Sequence, residues 1–581
     1  MSNFIPRPEH PNPQWERKTW KTLNGTWQFE IDNSSSGKDR KLYEAPSLSS
    51  EIIVPFCPES PLSGVNNKDF MACVWYKRAV SFTEQELDGN RVILHFGAAD
   101  FETDVWVNGK SVGLPHVGGY TSFEYDITKQ LTVGENVITV CCRDDVRSPR
   151  QGTGKQSQRF FSHECYYTRT TGIWQSVWYE IVPESYVKYA RILPDLENLS
   201  VTIDAQLCGR GDLSVEVFYE GKKVGEAAKV NCSVTSQLEV KLSEKHVWEP
   251  GHGRLYDLVI RFGRDEVKSY FGLRSVELDG IKFKLNGKSV FQRLVLDQGF
   301  YHDGVCTAPT EEMLIKDIQC GLDAGFNGAR LHQKVFEPRY LYHADRMGYM
   351  VWGEYGSWGL DHSDAANLST FLPDWLDSVK RDCNHPSIIG WCPFNETFDF
   401  GPQRKRQDDR FIRLAYEETK RLDPTRPCID SSGWFHVSTD IYDVHDYEQD
   451  PEAVRARYNE AVENGAFTEA MAICRRRQKW TPGQPLFVSE YGGIGFCLPR
   501  NDLEVSWSYG NATTSYEEFY ARYEGLTHAI LDNPLIMGLC YTQLTDVEQE
   551  QNGLFTFETR EPKFDMEIIS RINKKKAAIE D

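Results

Sequence analysis

Thr310 to His332 runs TEEMLIKDIQCGLDAGFNGARLH, and two periods meet in it. Leu314, Ile315, Ile318 and Leu322 recur at helical spacing and mark one apolar face, with Thr310 placed to cap the start and Gly325 to close the end. Phe326 to His332 is a run of strand length. The alternation continues outward. Pro338 opens a helix that Gly348 ends, ahead of the run Tyr349 to Glu354. A third helix passes through Trp375, Leu376 and Val379 to the break Asn384-His385-Pro386, before Ser387 to Cys392. Upstream, Phe291 to Leu296 supplies a first strand. Helices alternating with short apolar runs over about 300 residues predict a C-terminal (β/α)8 TIM barrel at 279–581.

Before Asp279 the texture is all strand. Arg91 to Phe96, Asp104 to Val107, Val137 to Val140 and Val177 to Val182 are short β-branched or alternating runs, and Asn108-Gly109 is a strong hairpin signal. No long helical period interrupts them, so residues 1–183 read as a jelly-roll-like β-sandwich. Leu199 to Ile203, Ser214 to Tyr219 and Leu258 to Phe262 continue the pattern, and residues 184–278 have the length of an immunoglobulin-like sandwich.

With 581 residues, 40% of them hydrophobic and 26% charged, the chain has material for several cores. Its 85 acidic and 65 basic side chains leave a formal charge of −20, which repels phosphate backbones and anionic lipid headgroups. Nucleic acid and membrane are therefore excluded as expected partners; a homo-oligomer is compatible with the sequence. The start, MSNFIPRPEH, lacks the basic and apolar regions of a signal peptide. Fifteen irregularly spaced cysteines suggest neither a disulfide framework nor a zinc site, and a cytoplasmic location is expected. No H-E-x-x-H, glycine-rich dinucleotide loop or P-loop occurs, so no metal or cofactor is called for.

In such a barrel the active site is built at the C-terminal ends of the strands. Trp391-Cys392-Pro393-Phe394 ends in Asn395-Glu396, and Pro485 to Ser489 ends in Glu490. Two carboxylates on different strand ends can face each other across a glycosidic bond. One protonates the departing oxygen, and the other attacks the anomeric carbon or activates water. Trp352, Glu354 and Trp391 are candidates for the floor and wall of a sugar site, because aromatic faces stack on pyranose rings. Asp297 and Gln298, at the first strand's end, are candidates for binding hydroxyls.

The order of sandwich, immunoglobulin-like domain and barrel resembles glycoside hydrolase family 2, the group of β-galactosidases, β-glucuronidases and β-mannosidases. Asn395-Glu396 matches that family's acid/base motif and Ser489-Glu490-Tyr491-Gly492 resembles its nucleophile motif. Leu23 to Trp27, Trp106 to Gly109 and Thr171 to Gln175 match in the right order. The resemblance implies a carbohydrate substrate and a retaining mechanism: Glu396 protonates the glycosidic oxygen, Glu490 attacks, and Glu396 then activates water. It implies that Asn395 binds the sugar 2-hydroxyl, that Arg330 and His332 stand beside the nucleophile, and that Tyr447 supplies an aromatic hydroxyl there, with His445 on the same strand end.

Two departures bear on the sugar. The last strand reads Gly538 to Asp546 without the family's tryptophan, and Asn552-Gly553-Leu554 lacks the lysine of the Asn-x-Lys motif with which β-glucuronidases hold the sugar carboxylate. The expected activity is that of a retaining exo-acting β-galactosidase. The alternatives are a β-glucuronidase, a β-mannosidase or an arabinosidase, and more remotely a non-catalytic carbohydrate-binding protein.

Overall fold

The computed structural model describes residues 5–398, 406–465, 479–496 and 506–580. The first domain is a sandwich of a seven-stranded and a four-stranded sheet. In the strand Gly25–Ile31 alternate residues point inward, and Trp27 and Phe29 are buried against Tyr76. Asn108 and Gly109 take positive φ angles of 51° and 74° and turn the chain tightly after Glu102–Val107.

The second domain corrects one detail. The expected runs Leu199 to Ile203 and Ser214 to Tyr219 belong to a single strand, Ser200–Tyr219. Its first half pairs with Tyr186–Asp195 and its second half with Tyr256–Phe262. Register shifts between Gln206 and Leu213, with Gly209 at φ 82°, mark the bulged corner between the two halves. Val187, Ile203, Val215 and Ile260 form its core. Arg17 ties the first two domains together, reaching Glu180 at 2.6 Å and Asp265 at 2.9 Å.

The barrel strands are β1 (Gln292–Asp297), β2 (Gly328–Leu331), β3 (Met350–Glu354), β4 (Ile388–Cys392), β5 (Tyr442–Asp446), β6 (Leu486–Gly492) and β7 (Ile536–Thr542). All run parallel in the order β4-β3-β2-β1-β7-β6-β5. Residues 427–432 run beside β4 at the open edge without forming a regular strand: Ile429 N–H donates to Trp391 O and Ser432 N–H to Phe394 O. Ser432 Oγ and Gly433 N–H then bond the carboxylate of Asp443 on β5. Helices α1 (Glu311–Asp323), α2 (Pro338–Met347) and α3 (Leu368–Asp382) stand where the sequence predicts them. Thr310 occupies the N-cap of α1, although its side chain makes no capping bond.

Among the described residues thirteen cysteines are free thiols, all but Cys208 buried; Cys474 and Cys497 lie outside the described residues.

What positions the barrel mouth is a long loop of the first sandwich, residues 144–171. Thr153 N–H donates to Trp358 O at 2.7 Å and Gly154 N–H to Gly356 O at 3.2 Å. A Cβ at Gly154 would lie 2.2 Å from the Gln333 carbonyl oxygen, so only glycine fits this approach. On the loop's far side the Tyr167 hydroxyl donates to Glu550, and Gln549 Nε2 donates to the carbonyl of Tyr166.

Candidate active site

Strand parity decides which predicted residues reach the mouth. Successive side chains of a strand point to opposite faces. Arg330 on β2, Glu354 on β3 and Glu490 on β6 point inward and converge. Arg330 Nε donates to Glu354 Oε2 at 2.7 Å, its Nη1 to Glu490 Oε1 at 2.7 Å, and its Nη2 to Asn395 Oδ1. All five guanidinium protons belong to one rigid fork, so this arginine fixes three site residues at once.

Glu490 is 4% exposed and held from several sides. Tyr447 donates its hydroxyl to Oε2 and also lies 3.1 Å from Thr542 Oγ1. His445 Nε2 stands 3.4 Å from Oε1. Burial alone would raise this carboxyl, but His445, Arg330 and the Tyr447 hydroxyl hold it down at about 2. It is therefore ionised over the working range of a neutral enzyme.

Glu396 follows β4 with a φ of 49°, and its N–H donates to Ser432 O at 2.9 Å. The irregular segment 427–432 thus anchors it. Its Oε1 lies 2.7 Å from His445 Nδ1. Burial works against charge on His445, but Glu490 and Glu396 outweigh this and raise its pKa above the ordinary imidazole value. Donor atoms of Glu396, His445 and Glu490 all lie within 4.8 Å of one another. A cation would fit among them, but Arg330 and His445 already meet the negative charge.

Asn395 is buried, and its Nδ2 has no hydrogen-bond partner among the described residues. A buried unpaired amide in an active-site mouth is a donor waiting for a ligand. His332 lies 3.0 Å from Glu354 Oε1 without hydrogen-bond geometry, and burial keeps it neutral.

Four candidates do not line the site. Glu354 is buried and accepts from Arg330 and from Gln333 N–H, so it holds the arginine and not a sugar. Trp352 points inward but one layer deeper, donating to Gln292 Oε1 and stacking on Phe487. Trp391 alternates with the inward Gly390 and Cys392 and faces the helices, where it donates to Asp423 and meets Trp375 edge-on. Asp297 faces outward beside Tyr340 and Gly299, where burial with Asp317 nearby pushes it up to about 7. Gln298, of opposite parity, turns inward and donates to Gln543.

The sequence reading passed over Lys155, Trp358 and Ser432. Trp358 carries the one signal available, an aromatic on a glycine-containing loop directly after a strand-end glutamate. Its Nε1 donates to Asn395 O at 3.2 Å.

The same three-part division emerges from comparison with known proteins. Residues 20–178 match the sugar-binding domain of glycosyl hydrolases family 2, residues 185–274 the family's second domain model, and residues 276–497 its TIM barrel domain. A β-glucuronidase of Paenibacillus borealis is 23% identical over 94% of the chain and 95% of its own length. A β-galactosidase of Thermoanaerobacter pseudethanolicus is 26% identical over 70% of the chain and 53% of its own length. A solved structure of Bifidobacterium dentium β-glucuronidase complexed with coumarin-3-O-glucuronide superposes with a TM-score of 0.79 at 19% identity, covering 96% of this chain and 98% of that one. The chain belongs to glycoside hydrolase family 2 and is a glycoside hydrolase.

Proposed function

We propose that the protein is a retaining, exo-acting β-glycosidase that removes terminal β-linked uronic acids, glucuronides foremost. The observation that carries the mechanism is the spacing of its carboxylates. Oxygens of Glu396 and Glu490 approach within 4.8 Å, the close arrangement of direct attack, whereas an inverting enzyme spaces its carboxyls roughly 6.5–9.5 Å apart to admit water. Glu490, ionised, attacks the anomeric carbon while Glu396 gives its proton to the departing oxygen. Water protonates Glu396 in return as it cleaves the glycosyl ester. The free Nδ2 of Asn395 is placed to donate to the sugar 2-hydroxyl, a bond that strengthens as the ring gains oxocarbenium character.

The β-galactosidase expected from the sequence is too narrow, since the relative matched over nearly its whole length and the superposed structure both carry the name β-glucuronidase. Their names support the uronide reading at 23% and 19% identity.

Two measurements test the proposal. Proton NMR during early turnover is expected to see the β-anomer of the released sugar before mutarotation; an α-anomer appearing first refutes double displacement. A panel of nitrophenyl β-glycosides differing only in the sugar is expected to favour the glucuronide, and a preference for the galactoside would restore the earlier reading.

A further inference from the structure

A sugar carboxylate drawn into a closed mouth needs a cation, because burying it unpaired is costly. Among the described residues the loop after β7 offers no free one, since Arg560 is paired with Asp317 and Lys563 with Asp546. Leu554 is buried, and Asn552 Nδ2 is bonded to Glu550. Arg330 is fully engaged by Glu354, Glu490 and Asn395, and Lys334 donates to the carbonyls of Gly299 and Cys306.

Lys155 differs from both. It is only 5% exposed, yet among the described residues its ammonium makes no hydrogen bond and no ion pair. It lies against the face of Trp358, with Nζ 4.1 Å from the ring centroid. A ring face leaves the ammonium protons without oxygen acceptors, which is unusual for a buried lysine. Trp358 in turn bonds Asn395 O, so the ammonium stands one ring away from the acid/base motif. Its backbone is fixed on both sides. Gly154 is wedged against Gln333, and Tyr167 N–H donates to Lys155 O at 2.7 Å. Burial opposes its charge, but Cys165, Glu550, Glu490 and Glu396 keep the group protonated.

We propose that Lys155, carried into the barrel mouth by the first sandwich, is the residue that reads the substrate's acid group: its ammonium receives the C5 carboxylate of a β-linked hexuronate. This rests on the uronide reading above and locates its missing cation in a different domain from the Asn-x-Lys position. Lys155 is a specificity residue and takes no part in proton transfer.

The test compares wild type with Lys155→Met and Lys155→Gln on 4-nitrophenyl β-glucuronide and on its uncharged methyl ester. The ratio of kcat/KM for acid over ester is expected to fall by about 30-fold or more in both variants, chiefly through KM, and Lys155→Arg is expected to recover part of it. Equal losses on acid and ester, no loss on either, or failure of both neutral variants to fold would each overturn the inference. Failure of the parent reading shows separately: wild type would then prefer the glucoside or galactoside to the glucuronide. A wild type that prefers the glucuronide, with variants that keep its acid-over-ester ratio, overturns the role of Lys155 alone.

Discussion

His445 Nδ1 lies 2.7 Å from Glu396 Oε1, so the carboxyl assigned to proton transfer is already joined to an imidazole whose own pKa is raised. The two groups can hold one proton between them. Above the pH at which that proton leaves, the acid is spent. Replacing the imidazole removes the group whose raised pKa keeps that shared proton in place as pH climbs. His445→Asn is therefore expected to move the basic limb of the kcat/KM profile to lower pH and to slow substrates with poor leaving groups more than activated ones. An unmoved basic limb would remove His445 from the proton path.

The roles proposed for the two carboxylates are separable by experiment. Glu490→Gln and Glu396→Gln are each expected to lower turnover by roughly 10³-fold or more while leaving the far-UV spectrum intact. With an activated leaving group and azide, the Glu396 variant should yield the β-glycosyl azide and the Glu490 variant the α-azide. The same azide anomer from both would reverse or void the assignment.

Arg330 neutralises Glu354 and Glu490 in a site where all three are nearly inaccessible. Arg330→Met leaves two buried carboxylates facing each other, and urea unfolding is expected to show a loss of about 3–5 kcal/mol. Adding Glu354→Gln should return part of it, because the two changes share one network. Strict additivity in the double variant would mean that the ion pair is not the source of the loss.

Buried acids at the domain junction set a pH dependence of stability. Asp374 on α3 accepts from Tyr355 and from Thr121 N–H of the first sandwich, and burial raises it to about 7 against those bonds. It is protonated in the folded protein and ionised in the unfolded chain between about pH 4 and about pH 7, so folding takes up a proton there. Its contribution is complete below the unfolded value and is lost as pH rises through the folded one. The thermal midpoint is expected to fall between about pH 4 and about pH 7, and less steeply in Asp374→Asn. Identical slopes in the two proteins would exonerate Asp374.

Periodicity made the barrel legible, and strand ends made Glu396 and Glu490 legible, because both depend on local sequence. The tryptophans misled for a physical reason. Trp352 and Trp391 lie in apolar strands buried on both faces, where no polar alternation reveals which side chain points inward or how deep. Segment 427–432 escaped notice because its bonds run to Trp391, Phe394 and Asp443, partners that no local pattern announces. Lys155 was hidden more completely, in an irregular loop of another domain, and its meaning comes only from what surrounds it in space.

That loop also has a consequence in time. Tyr167 and its partner Glu550 are 383 residues apart in the chain, which at ordinary rates of translation is roughly 20–80 s of synthesis. The first sandwich can complete its own sheets early, but the arm it holds out has nothing to clasp until the last barrel strand and the residues after it leave the ribosome. A nascent chain stopped short of residue 550 would carry both Glu396 and Glu490 and still lack a closed mouth. The clasp of the mouth thus forms only after both strand-end glutamates have been made, so the order of synthesis sets the order in which the site can close.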